Sequence, residues 1–510
     1  TFNNSAVRVR PEADLAFNTF HVLIVTRTAK DSEQPPQRLG QSKAVSLLLG
    51  SSPIAAGAVE GLTATGAARM ERMRQQLAPL VALLATATPP MSVDDIASVH
   101  GFTTEKGEAH VTGAIDDYFS ALERGRYGFE QSNRVVPFSE VYPGLPAIAY
   151  DGLAEFRVGT IKAPKVLDDE GHIRANWTEQ VETVDIPFSL SIPSRSNRYG
   201  LTVFVPGFGR GKIDGRAIAP QLANAATSAV LTIDLRCHGD RSRDASGLCG
   251  ENRDAQEVAA LEDDEANNGN PEFNGADGIP DDSGIGFFPG DPRALRDTQI
   301  AAIIEILHVL GAVRAASTTF EAPINVNVAQ IHLIAQGHAA PAALGAMANV
   351  RFPTNSITLQ LPSGGVGYDQ LILDGPEDLR QSFLSSAPEG VEPGDAASYL
   401  AELEDTILAP LDTAAWGAEV RQRLRLTGNQ VRVLLNHSRV AEYVTTEARD
   451  DLADQLSLGS NRQSQHNGAC DDFFLYTCSL GDNPAWLEEA RGQFASFVSS
   501  GGVTFSAPAP

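Results

Sequence analysis

Apolar residues along this chain fall into short unbroken runs and longer periodic ones. Leu201 to Val205, Ala229 to Leu235, Ile331 to Ala335 and residues 431 to 435 (VRVLL) are compact apolar runs. They read as strands buried on both faces of a parallel sheet. Thr298 to Ala315 (TQIAAIIEILHVLGAVRA) instead repeats its apolar positions at the spacing of a helix docked on such a sheet. Further helices fit residues 215–227 and Ala339 to Val350. Strands alternating with helices predict an α/β architecture, a mostly parallel sheet flanked by helices, from about residue 150 onward.

The first part of the chain has a different rhythm. Extended segments around 6–28, a helical stretch at 66–86 and a strand near 100 predict a small α+β or β-sandwich-like domain over 1–105. Residues 106–150 read as a connecting helix and a Pro/Gly linker, and 151–510 as the sheet-bearing domain. Two insertions interrupt the latter. Residues 253–283 hold ten acidic residues against one arginine, and 366–428 separate the later strands as a lid would.

Charge narrows the partners. Lys and Arg number 39 against 64 Asp and Glu, a net charge of −25, which repels nucleic-acid phosphates and anionic membrane surfaces. No run reaches the roughly 18 consecutive apolar residues of a membrane span, so no transmembrane segment is expected. The chain begins at Thr1, consistent with a removed leader. Four cysteines form two close pairs, Cys237 with Cys249 and Cys470 with Cys478. Their spacings are not those of zinc sites, and local disulfides would place the protein in an oxidising compartment.

The candidate chemistry lies at the turn between the Ile331 strand and the Ala339 helix. Ala335-Gln336-Gly337-His338-Ala339 has the layout of the G-x-S-x-G nucleophile elbow, with small residues at its outer positions and glycine where the serine would stand. Upstream, Pro206-Gly207-Phe208-Gly209 follows a strand and resembles the HGxG loop whose amides form an oxyanion hole. After the next strand, Arg236-Cys237-His238-Gly239-Asp240-Arg241-Ser242 is similar to the D-x-R-G-H-G-x-S segment of α/β-hydrolases. His238 reads as a structural residue of that turn.

The resemblance is to large secreted bacterial lipases and esterases with a virulence-factor-lipase-like N-terminal region. Phe20 to Asp31, Ile96 to Thr104, Glu182 to Pro193 and Asp277 to Asp297 resemble their segments in the same order. It implies an α/β-hydrolase fold and locates the rest of a catalytic triad. After strand 431–435 the acid position falls on Ala441, with Glu442 next to it. Near the C-terminus the histidine of D-H-G-F-L falls on Asp472. Gly337, Ala441 and Asp472 are therefore degenerate triad positions, and Phe208 and His338 are oxyanion-hole-like. Serine attack needs a base, and the base needs an orienting acid. Three replacements together imply a catalytically inactive homologue acting as a secreted binding or structural subunit of an extracellular or outer-membrane assembly, with protein partners. The alternative is an ester or lipid hydrolase with a rearranged site that uses Ser438 or Ser363, a histidine among His338, His437 and His466, and Glu442.

The acidic insertion invites a cation. Asp263, Asp264, Asn274, Asp277, Asp281 and Asp282 are hard oxygen donors in an irregular segment, the ligand set calcium takes. The competing reading is a solvated acidic loop. If calcium binds, chelation lowers the melting temperature and added calcium restores it, because a ligand held only by the folded state stabilises by mass action. A melting curve unchanged by both treatments selects the solvated loop.

Overall fold

The structure is a computed structural model. It describes residues 20–29, 37–55, 57–58, 62, 64–86, 91–103, 107–195, 198–207, 210–241, 249, 287, 291–319, 325–337, 339–351, 356–361, 416, 432–438, 456, 463–466 and 484–500. The chain divides into two compact units, residues 1–110 and 111–510.

In the first unit, β1 (Phe20–Thr26) pairs antiparallel with β2 (Ile96–Thr103). Helices α1 (Lys43–Leu49) and α2 (Ala64–Thr86) accompany them. Ser42 caps α1 by accepting from the Val45 amide at 3.2 Å. Leu49, Leu84 and Ile96 form the core, with Ile24, Val45 and Leu80 packed against it. Among the described residues this unit is α+β, with a single pair of strands rather than a sandwich.

The second unit is built on one nine-stranded sheet. After α3 (Gly107–Glu123), β3 (Gln131–Val136) and the short α4 (Phe138–Val141) come β4 (Leu153–Pro164), the short α5 (Trp177–Gln180), β5 (Thr183–Pro193) and β6 (Tyr199–Val205). There follow α6 (Ala219–Ala226), β7 (Ser228–Ile233), α7 (Pro292–Thr319), β8 (Val326–Gln336) and α8 (Ala339–Asn349). The last elements are β9 (Ser356–Leu361), β10 (Arg432–Ser438), β11 (Gln463–His466) and α9 (Pro484–Ser499). The spatial order is β11-β10-β9-β8-β6-β7-β5-β4-β3. β3, β4, β5 and β7 pair antiparallel, whereas β7, β6, β8, β9, β10 and β11 run parallel. The chain leaves β6 for β7 on one side and leaves β8 for β9 on the other, so the topological switch point lies between β6 and β8. This is the α/β-hydrolase fold.

Two sequence expectations change. Residues 106–150 are more than a connection, since β3 adds an edge strand to the sheet. The helix expected over 215–227 splits into a 3₁₀ turn, Lys212–Ala217, and α6. Among the described residues one segment, Arg293–Ala315, is long and apolar enough to cross a membrane by length and composition alone. Its most apolar window is 89% buried within the protein, as befits the core helix of a sheet.

Alternation along β6 divides the core. Leu201, Val203 and Val205 face α7 and α8 with Ile303, Leu307 and Leu344, while Phe204 joins Leu222, Ile334 and Phe494 beneath α6 and α9. Among the described residues, three histidines are buried in this unit: His238, His308 and His332. Loss of hydration holds each imidazole down at about 4. Tyr118 Oη lies 3.3 Å from His308 Nδ1. A depressed folded pKa means that their stabilisation is complete above the unfolded value of about 6.5 and is lost as pH falls toward 4. Buried Asp234, pushed up to about 6, works in the opposite sense. Three groups outweigh one, so stability should fall by a few kcal/mol per pH unit between pH 6 and 4, each group counting about 1.4. A melting temperature that stays level or rises from pH 7 to pH 4.5 contradicts this.

Candidate functional site

The elbow stands at the C-terminal end of β8. Gly337 has φ +55°, in the left-handed region, and its carbonyl accepts from the Ala340 amide at 3.0 Å as α8 begins. Among the described residues, a Cβ built on Gly337 meets only the Gly207 Cα, at 4.0 Å. The position is half-buried. The turn keeps the left-handed backbone of such an elbow, with no side chain to present. Glycine also relieves the backbone strain, about 1–2 kcal/mol, that any other residue would carry there.

Gly207, after β6, needs to be glycine for another reason. A Cβ there would sit 3.0 Å from the Gln336 carbonyl oxygen. Its absence lets the oxyanion-type loop cross directly over the elbow, backbone against backbone. Phe208 and His338 lie outside the described residues.

The loops that follow β6 and β7 are joined around Asp234, at the end of β7. Its buried carboxylate accepts from the Lys212 amide, from the Asp240 amide at 3.1 Å and from Lys212 Nζ at 3.4 Å. Lys212 Nζ also pairs with Asp240. Burial raises the Asp234 pKa to about 6, and Lys212 with the two amide donors opposes that rise. Because Lys212 follows β6 and Asp240 follows β7, one carboxylate ties together the two loops that frame the cleft. Arg241 adds a second tie. It donates to the Asp234 carbonyl at 3.1 Å and makes a bidentate pair with Glu305 of α7 at 2.8 and 2.7 Å. Cys237, at φ +61°, forms a disulfide with Cys249, Cα to Cα 4.7 Å. His238 Nδ1 hydrogen-bonds the Arg236 carbonyl at 2.8 Å and packs edge-on to Phe287. The sequence reading passed over Asp234, Lys212 and Glu305. Asp234 was legible as the leading aspartate of D-x-R-G-H-G-x-S, whereas Lys212 and Glu305 meet it only through the fold.

The other predicted positions fall in two groups. His437 and Ser438, expected on the acid turn, are the last residues of β10 itself. The strand runs further than its apolar run VRVLL because parallel pairing to β9 and β11 continues through Asn436, His437 and, with β11, Ser438. His466 ends β11 in register with Ser438. Ser363, Ala441, Glu442, Asp472, Cys470, Cys478 and the acidic residues Asp263, Asp264, Asn274, Asp277, Asp281 and Asp282 lie outside the described residues. Among the described residues, no group of three or more His, Cys, Asp or Glu is placed to hold a metal ion.

No family model matches the chain, and neither does any curated protein sequence. Among solved structures it is similar to an acetyl xylan esterase from Paenibacillus sp. R4 (TM-score 0.40, 12% identity, covering 76% of this chain and 93% of that one). It is also similar to a Pyrobaculum calidifontis esterase (TM-score 0.35, 13% identity, 78% and 94%). A lipase in its open form is another such structure (TM-score 0.36, 10% identity, 62% and 95%).

Two glycine substitutions test the local account. Gly239 has φ +49°, and a Cβ there would fall inside the contact distance of the Asp234 carboxylate. Gly239→Ala should cost about 3 kcal/mol or more, overpacking added to left-handed strain. Gly337→Ala meets, among the described residues, only ordinary contact with the Gly207 Cα at 4.0 Å and should cost only the strain, about 1–2 kcal/mol. Denaturant unfolding of both variants measures the difference, and equal losses contradict it.

Proposed function

We propose that this chain is a catalytically inactive α/β-hydrolase homologue that serves as a secreted binding or structural subunit of an extracellular or outer-membrane assembly. Gly337 carries the reading. The elbow retains its left-handed turn and its close crossing with Gly207, yet it holds no nucleophile. Among the described residues no steric demand accounts for the glycine, since a Cβ would meet only the Gly207 Cα, at 4.0 Å. Relief of strain does explain it, once the side chain has no reaction to perform. The Ala441 and Asp472 replacements read from the sequence extend the loss to acid and base. The Cys237–Cys249 disulfide supports an oxidising compartment. A scaffold without its reaction still offers a cleft and a surface, because function resides in sites carried on folds.

One observation favours the second reading, an ester or lipid hydrolase with a rearranged site. Parallel pairing sets Ser438 of β10 directly beside His466 of β11, at the roughly 4.8 Å spacing of neighbouring strands. A serine and a histidine at that separation are the raw material of a nucleophile and its base.

Ester turnover separates the two. The purified chain should hydrolyse neither short-chain nor long-chain activated esters above background. Gly337→Ser should remain near background as well, since the new hydroxyl gains no positioned base, a contribution of about a hundredfold to ten-thousandfold. Turnover by the unmodified chain that disappears in Ser438→Ala would establish the second reading instead.

A further inference from the structure

β3 ends the nine-stranded sheet on one side, and among the described residues its strand neighbour is β4 alone. Antiparallel pairing decides which backbone groups that leaves over. The Lys162 amide donates to the Glu130 carbonyl at 2.9 Å, and the register that follows sets Ser132 opposite Thr160, Arg134 opposite Val158 and Val136 opposite Phe156. Hydrogen-bonded pairs alternate with unbonded ones in such a ladder, so the even-numbered residues bond β4. Gln131, Asn133 and Val135 therefore turn their N–H and C=O groups away from the sheet. The edge is open there, since Ser132, Arg134 and Val135 are exposed, Val135 by 59%. Sheet edges are ordinarily guarded by proline, by a bulge or by several charges. β3 has no proline, pairs with β4 without a bulge, and carries a single arginine.

This edge is complementary to itself. A second β3, turned about a two-fold axis through Asn133, runs antiparallel to the first and sets Gln131 opposite Val135, Asn133 opposite Asn133 and Val135 opposite Gln131. Outward residues then meet only outward residues, so each N–H and C=O left over on either strand gains a partner. On the other register positions Ser132 faces Arg134 of the partner subunit, which keeps the two arginines from facing each other. Glu130 falls diagonal to Arg134 of the partner subunit, about 7–8 Å apart at this position and within reach of long side chains. Neither Glu130 nor Arg134 has an ion pair within its own chain. A chain of net charge −25 repels a second copy at long range, and these two symmetry-related pairs give the local attraction that fixes the register. We propose that the chain forms a two-fold dimer in which β3 pairs with β3 of a second copy, joining the two sheets into one. Such pairing closes on itself and leads to no larger assembly. It holds whether or not the elbow carries out a reaction.

Sedimentation velocity of the full chain over a concentration series tests the proposal. It should show a monomer–dimer equilibrium without larger species. Arg134→Glu and Glu130→Arg each turn two attractive diagonal contacts into repulsive ones and should weaken dimerisation about tenfold or more. The double variant should recover it, because opposite charges face each other again. Amide hydrogen exchange across residues 130–136 is a second measurement that needs no substitution, and protection there should rise with protein concentration. A chain that stays monomeric up to about 0.1 mM, where a micromolar dimer would be nearly complete, overturns the proposal. It is overturned equally by a dimer that both single variants leave intact, by a double variant that fails to recover, or by β3 amides whose exchange is indifferent to concentration.

Discussion

The crossing of two backbones at the end of the sheet is the constraint on which the site depends. The loop after β6 passes so close to the elbow after β8 that a Cβ on Gly207 would press on the Gln336 carbonyl at 3.0 Å. Ala335, Ala339 and Ala340, on either side of the elbow, are small. In an acyl-transfer enzyme such a crossing brings loop amides to the carbonyl oxygen on which negative charge develops as the nucleophile attacks the carbon. Here the approach is kept while the nucleophile is absent.

The approach is held from the side by buried charge. Asp234 has little hydration of its own, so its carboxylate depends on Lys212 and on two loop amides. Such a group is costly to bury and costlier to leave unpaired. The cost of breaking any one tie therefore locks both loops together. Arg241 and Glu305 extend the lock to α7, and the Cys237–Cys249 bridge closes the turn covalently. A purely apolar contact would hold these loops less specifically, because apolar packing has no preferred direction.

Much of the second unit was legible because its strands are short apolar runs that need no partner to be recognised. β6 and β7 coincide closely with runs read from the sequence, whereas β8 contains its run Ile331 to Ala335 but begins earlier, at Val326. β3 was not legible: QSNRVV alternates weakly, and only pairing with β4 makes it a strand. The end of β10 and the whole of β11 were missed for a related reason. Asn436, His437 and Ser438 look like a turn until the parallel ladder extends through them. At the site, Gly337 was visible because a motif fixes its place in the sequence. The Asp234–Lys212 and Arg241–Glu305 ties join residues 22 and 64 positions apart, and spacing alone does not reveal such pairs.

The central claim is that this fold carries an elbow without a reaction. Treatment of the unmodified chain with a serine-directed fluorophosphonate, followed by intact-mass and peptide mass spectrometry, addresses it most directly, since only a serine activated by a nearby base reacts readily. The account predicts no mass increase on the folded chain. A stoichiometric adduct on any serine, Ser438 above all, would contradict it.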